Sequence, residues 1–338
     1  MTYLSFRRIS QTVVAVAIST TLSACAAGGN APAGTPAAVG GSRVTGKPIV
    51  PATVLPSKAK RSKRVLFVSN FIGSIRIYSA DIHDQKPPML GQITQGATRP
   101  LGDWIDRKGI LYVVNGEQYP TQANVEEYKR GASSPFRTIT NGVLSPYAVA
   151  VEKDGTVYVN SIGELPSGGG TTGMVVVYPP GDLTPKLTIT LPEAAEYGMS
   201  AGGITLDKQG NVYVANFGDA DVSQFFKIAP GSSQATSLGL TGYGGDAIAI
   251  DGTGNLYTGG FSGGSYFVAV YSPGATTPSR TIPLSFEAYG LTATSNGTLY
   301  IVGENEVAEF APGASQPTNT FNTLYGETFT YDAAIGSQ

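Results

Sequence analysis

Histidine, cysteine and tryptophan each occur once in 338 residues, at His83, Cys25 and Trp104. A single histidine excludes serine–histidine triads and histidine-rich zinc sites, and His83 sits in "DIHDQK", outside the inward-facing strands. One cysteine excludes an internal disulfide. Beyond the first 30 residues the chain has no apolar run long enough to cross a bilayer as a helix. It also lacks the 3.6-residue periodicity of helical repeats. Charge is scarce, at 14% of residues, whereas glycine (44) and proline (22) are abundant. Together with frequent Val, Tyr, Thr and Ile, that composition favours short strands joined by tight turns.

Acids are absent from the first 64 residues, while 13 of the 22 bases and all 24 acids lie beyond them. The acidic body argues against a nucleic-acid partner. Arg7 and Arg8, the apolar "TVVAVAIST" and then "LSAC" have the order of an export signal. This segment resembles a bacterial lipobox. The resemblance implies cleavage after residue 24, acylation of Cys25, and an extracytoplasmic protein held to the membrane by its lipid. Ala26 after the cysteine is similar to the outer-membrane sorting pattern. Residues 25–64 then read as a disordered Ala/Gly/Pro-rich basic linker. Such a tether is either a solvated spacer or a contact for anionic headgroups or wall polymer.

From Val65 onward one short strand is written six times: "VLFVSN", "ILYVVN", "TVYVN", "NVYVAN", "NLYTGG" and "TLYIVG". Their aromatics, Phe67, Tyr112, Tyr158, Tyr213, Tyr257 and Tyr300, are 45, 46, 55, 44 and 43 residues apart. Each is followed by an alternating strand, usually ending in Pro-Gly ("VVVYPPG", "VAVYSPG"), and then by a ragged third strand such as "LTITL". Before each copy comes an apolar strand closed by a glycine turn, as in "GGITLDKQG" and "DAIAIDGTG". Four strands per unit of about 46 residues predict an all-β chain folded as a six-bladed β-propeller. Val65 enters directly on a second strand, and "ETFTYD" (Glu327 to Asp332) is an inner-type strand with nothing after it. Paired, these ends complete one blade, so residues 65–338 are expected to close as a single propeller.

"GGITLDKQGNVYVANFGDADVSQFFKIAPG" resembles the NHL and SMP-30/gluconolactonase-type propeller repeat, and is similar to the streptogramin-lyase propellers. The likeness extends over nearly all of Val65 to Asp332. It implies a functional face at one end of the central channel. Aligning the inner strands on "DAIAID" places Leu101, Tyr147, Gly202, Asp246, Tyr289 and Glu327 at the channel mouth. SMP-30-like lactonases set a Glu, an Asp and Asn residues around one divalent ion at such positions. Asp246 and Glu327 match in type and suit Ca²⁺ or Mg²⁺, whereas the other four positions bring no carboxylate or amide. A lyase of the streptogramin type would need a histidine base near the channel, where this chain has none.

Asn70, Asn115, Asn160 and Asn216 end four of the repeated strands. Asparagine there either accommodates the left-handed turn and bonds its backbone, or joins a ring of amides that grips a polar ligand together with Tyr147 and Tyr289. Tyr119, Tyr243, Tyr266 and Tyr325 also fall in or beside loops, as rings on a carbohydrate or peptide surface would. Trp104 reads as packing, "PSGGGTTG" as a hairpin tip, and Asp219 and Asp221 miss the calcium-loop spacing. The sequence therefore points to a lipid-anchored, non-catalytic binding module of the cell envelope. It would take a protein, glycan or small polar ligand and no cofactor. The alternatives are a metal-dependent SMP-30-like lactonase and a structural part of an envelope complex.

Overall fold

The computed structural model describes residues 64–80, 87, 89–116, 123–164, 171–192, 200–217, 223–240, 245–323 and 330–337. Cys25, the signal and nearly all of the linker lie outside these residues, as do Glu327, His83, Asp219, Asp221 and Tyr119, Tyr243 and Tyr325. The described residues belong to one compact unit and contain strands and turns with no helix.

Six four-stranded antiparallel sheets form the six blades of a β-propeller. Blade 1 is closed from both ends of the chain: Thr330–Ser337 pairs with Arg64–Asn70, followed outward by Ser74–Ser79 and Met89–Ile93. The next five blades each run from the inside outward. Blade 2 has Pro100–Ile105, Leu111–Asn115, Asn124–Tyr128 and Arg137–Ile139. Blade 3 has Ser145–Val151, Val157–Glu164, Thr171–Tyr178 and Leu187–Thr190. Blade 4 has Ser200–Leu206, Val212–Phe217, Ser223–Ile228 and Ala235–Ser237. Blade 5 has Ile248–Ile250, Leu256–Ser262, Ser265–Tyr271 and Arg280–Leu284. Blade 6 has Gly290–Ala293, Leu299–Val302, Glu306–Phe310 and Asn319–Asn322. Each inner strand packs on the inner strands of both neighbours, which closes the ring. The closing strand runs on to Ser337, beyond the Asp332 at which "ETFTYD" ends.

Both faces of every blade are buried, so the apolar residues fall into six clusters, one at each blade-to-blade interface. This is why the strands carry apolar residues on alternate and intervening positions alike. Fully buried Tyr78, Tyr128, Tyr178, Tyr271 and Tyr300 dominate these interfaces, each ring contributing roughly 1.5–3 kcal/mol of burial.

The repeated aromatic also fixes register. Phe67, Tyr112, Tyr158, Tyr213, Tyr257 and Tyr300 face Ala334, Trp104, Ala150, Thr205, Ala249 and Thr292 on the inner strands. In three blades the tyrosine hydroxyl reaches back to the acid of the preceding hairpin turn: Tyr158 to Glu152, Tyr213 to Asp207 and Tyr257 to Asp251. Asp251 accepts from the Thr253 and Asn255 amides as well, around Gly254 at φ +90°, a conformation that only glycine adopts freely. The strand and its turn are thus locked as one piece. Trp104 is half-buried between the clusters on either side of blade 3, as packing requires.

Candidate functional site: the channel mouth

Counting three residues back from each inner-strand partner of the repeated aromatic gives the rim of the channel: Leu101, Tyr147, Gly202, Asp246, Tyr289 and Tyr331. The sixth rim residue is therefore Tyr331, four residues beyond the Glu327 that sequence alignment placed there. The register of four blades slips at this height, between Pro100 and Asp103, Pro146 and Ala148, Ala201 and Ile204, and opposite Ser69 and Asn70. Such bulges re-aim side chains at the ends of strands. Tyr147 and Tyr331 are the extra residues at two of them.

The tyrosines converge. Tyr331 packs on Tyr289 at 5.5 Å between ring centroids and meets Tyr147 edge-on at 6.5 Å. Phe71 stacks on the outer side of Tyr331 at 5.3 Å, with the Arg99 guanidinium 4.1 Å from its ring centre. Tyr147 donates a hydrogen bond of 2.8 Å to Asp246 Oδ2. That reach passes over blade 4, whose rim residue is Gly202. A Cβ on Gly202 would lie 2.7 Å from the Asp246 carbonyl oxygen, so only glycine fits beneath the bridge. Burial, and the nearby Glu287 carboxylate, push the Tyr289 hydroxyl well above the usual tyrosine range. Below the collar the channel narrows to a cavity of about 30 Å³ whose walls include Tyr147, Ile204, Leu291, Tyr331 and Asp332. That is room for one or two waters.

The four recurring asparagines are completely buried, and the bonds of three are to backbone and neighbouring loops. Asn115 accepts from the Thr98 and Arg99 amides and donates to the Gly96 carbonyl and to Asn124, pinning the loop that leads into blade 2. Asn160 donates to the carbonyls of Gly202 and Ala215 in the neighbouring blade. Asn70 accepts from Ile72 within its own turn. The Asn216 amide lies against Gly173, and neither of its polar atoms has a partner among the described residues. The sequence readings of asparagine as turn brace and as ligand ring thus meet different geometry: three amides brace backbone and none is exposed.

A metal finds few ligands at the described rim. Of the six rim residues Asp246 alone brings a carboxylate, with one oxygen held by Tyr147, and Glu287 lies beside Tyr289, against the six to eight oxygens calcium takes. Among the described residues no three His, Cys, Asp or Glu side chains gather in one place. The described rim residues thus do not fit the metal set expected of an SMP-30-like lactonase.

Sequence reasoning missed the carboxyl pair just inside the rim. Asp103, buried on blade 2, and Asp332, half-buried on blade 1, adjoin each other there. Asp332 Oδ2 accepts from the Asp103 amide at 3.3 Å, its Oδ1 accepts from Ala333, and Ser69 Oγ donates to Asp103 Oδ2 at 2.9 Å. Burial raises both groups, Asp332 to about 7, and the Asp332 charge raises Asp103 further. The missed signal was a column: the position two beyond the rim reads Asp103, Val149, Ile204, Ile248, Leu291 and Ala333.

These features define a six-bladed β-propeller with a tyrosine collar over a narrow channel. No model of a known protein family matches the sequence, and no curated protein matches it. Solved structures do share the fold. Hydrazine synthase of Kuenenia stuttgartiensis is similar with a TM-score of 0.51 and 14% identity, over 72% of this chain and 72% of that one. Regucalcin of Agrobacterium tumefaciens strain C58, described as a calcium-binding protein, is similar with a TM-score of 0.52 and 12% identity, over 70% of this chain and 78% of that one.

Proposed function

We propose that this chain is a lipid-anchored, extracytoplasmic binding module that does no chemistry of its own and receives a polar ligand on its tyrosine collar. The observation that carries this reading is the convergence of Tyr147, Tyr289 and Tyr331 over a throat of about 30 Å³. Amphipathic rings around the mouth offer stacking area and hydroxyls to a glycan or peptide on the surface. Acylation of Cys25 would hold the molecule at the membrane, with the basic linker as its tether.

A second reading, the metal-dependent hydrolase, draws on the likeness to regucalcin and on Asp246 at the rim. One pair of measurements separates the two. The full chain carrying Cys25→Ser is screened against glycan and peptide panels beside its Tyr289→Ala and Tyr331→Ala variants, and its melting is followed in millimolar Ca²⁺ and Mg²⁺. The binding module predicts a ligand whose affinity falls about tenfold or more in the tyrosine variants, with melting unmoved by metal. A site filled at hundredfold over its Kd would add about 2.7 kcal/mol of stability. If that shift appears, vanishes in Asp246→Asn and is accompanied by lactone hydrolysis, the hydrolase reading replaces ours.

A further inference from the structure

The inner strands repeat one packing rule at the blade interfaces. The residue just past the rim on one blade comes against the position two past the rim on the next, joining a small residue to an aliphatic one. Three interfaces show this contact: Ala148 with Ile204, Gly203 with Ile248, and Ala247 with Leu291. The same positions hold Gly102 and Val149 at a fourth and the two small residues Gly290 and Ala333 at a fifth. The fit is tight, since a Cβ on Gly203 would lie 3.2 Å from Ile248 Cγ2, and one on Gly290 would lie 2.7 Å from both Cα and Oδ1 of Asp332. At the sixth interface, between the closing blade and blade 2, the same two positions hold Asp332 and Asp103. Asp103 is buried and Asp332 half-buried against the channel cavity, and Asp103 Oδ1 has no hydrogen-bond partner among the described residues.

We infer that Asp103 and Asp332 share one proton across this seam, and that losing it to solvent loosens the grip of the closing strand on blade 2. Two carboxylates side by side in a seam that is largely desolvated repel each other and lose hydration, so one keeps its proton unless a cation compensates. None does among the described residues. The strands packed on the pair are the inner strands of blades 1, 2, 3 and 6 and the second strands of blades 1, 2 and 6. Their titratable or charged groups are the pair itself, tyrosines Tyr112, Tyr147, Tyr300 and Tyr331, and Arg64, which lies at the opposite end of its strand from Ser69. From the adjoining loops come Tyr289, on the same cavity as Asp332, and Arg99, stacked on Phe71. Tyr331, adjacent to Asp332, carries the state of the seam to the collar.

The sign follows from linkage. A pair whose folded form holds its proton to higher pH than the unfolded chain is most stabilising below the ordinary aspartate range of about 4. That contribution is lost as pH rises toward the value of about 7 for Asp332.

The test measures melting of the full chain between about pH 5 and pH 8.5, beside Asp332→Asn and the double variant Asp103→Val/Asp332→Ala, which installs a small–aliphatic pair like Ala148 with Ile204. The wild type should lose about 5 °C or more over this range relative to the double variant, with Asp332→Asn in between. An infrared carbonyl band of a protonated carboxyl, present in the wild type at about pH 6 and missing from the double variant, should accompany it. Identical pH profiles in wild type and double variant would overturn the inference. So would restoration of wild-type melting at high pH by millimolar Ca²⁺, which would make the pair a cation site.

Discussion

Tyr147 and Asp246 are bonded across the channel mouth at 2.8 Å, from blade 3 to blade 5, over the bare backbone of Gly202 in blade 4. Three blades are thereby tied at the rim by one side-chain bond and one missing Cβ.

Tyr147→Phe removes the bond and keeps the ring. A hydrogen bond to a carboxylate at a partly solvated mouth is worth about 1–2 kcal/mol, so melting should fall by roughly 2–6 °C. Gly202→Ala should cost more, about 2–3 kcal/mol, because its methyl meets backbone on two sides. Denaturant titration of both variants checks the order, and equal stability of Gly202→Ala and wild type would contradict the close approach.

Asn115→Ala should destabilise by about 2–4 kcal/mol, since four hydrogen bonds end on its amide and buried backbone groups lose their partner. Asn70→Ala, which loses one hydrogen bond inside its own turn, should cost nearer 1 kcal/mol. If instead both variants melt like the wild type but lose ligand, the asparagines serve recognition and not the fold.

Removing Thr330–Ser337 strips the inner edge of blade 1 and the partner of the whole strand Arg64–Asn70. Several kcal/mol should go from a total of about 5–15, with a broadened or absent melting transition. Deleting residues 26 to 60 should shift melting by no more than about 2 °C. Calorimetry of the two truncations is the comparison, and a C-terminal truncation that melts with the wild type would contradict closure.

Cys25→Ser should abolish incorporation of labelled palmitate and leave the signal segment uncleaved before residue 25. Metabolic labelling and an intact-mass measurement read both, and equal labelling of variant and wild type would remove the lipid anchor.

The blades were legible because each repeat carries its own anchor. A turn such as "DGTGN" sits a fixed distance before the aromatic, and that distance sets the register of the inner strand preceding it. The closing strand has no such turn, because its partner lies at the other end of the chain. Its register was therefore misread: Glu327 stood where Tyr331 belongs, and the true strand runs on to Ser337. The same slip hid the Asp103–Asp332 pair, whose members are far apart in sequence and become neighbours only when the ring shuts. The rim tyrosines were half visible. Tyr147 and Tyr289 fell in the alignment, but the bulges that aim residues such as Tyr331 leave no mark in composition.

The strand Arg64–Asn70 is made first and its inner partner about 260 residues later, an extreme of non-local pairing. Until Thr330–Ser337 emerges, blade 1 has a bare inner edge and the Asp103 carboxyl has no mate. At any earlier moment of synthesis the molecule is an unshut crescent, with up to five blades stacked and both ends able to fray or to capture a foreign strand. Completion is thus reported by a single late event, and a chain cut short anywhere before Thr330 would betray itself by that exposed edge to whatever surveys unfinished proteins.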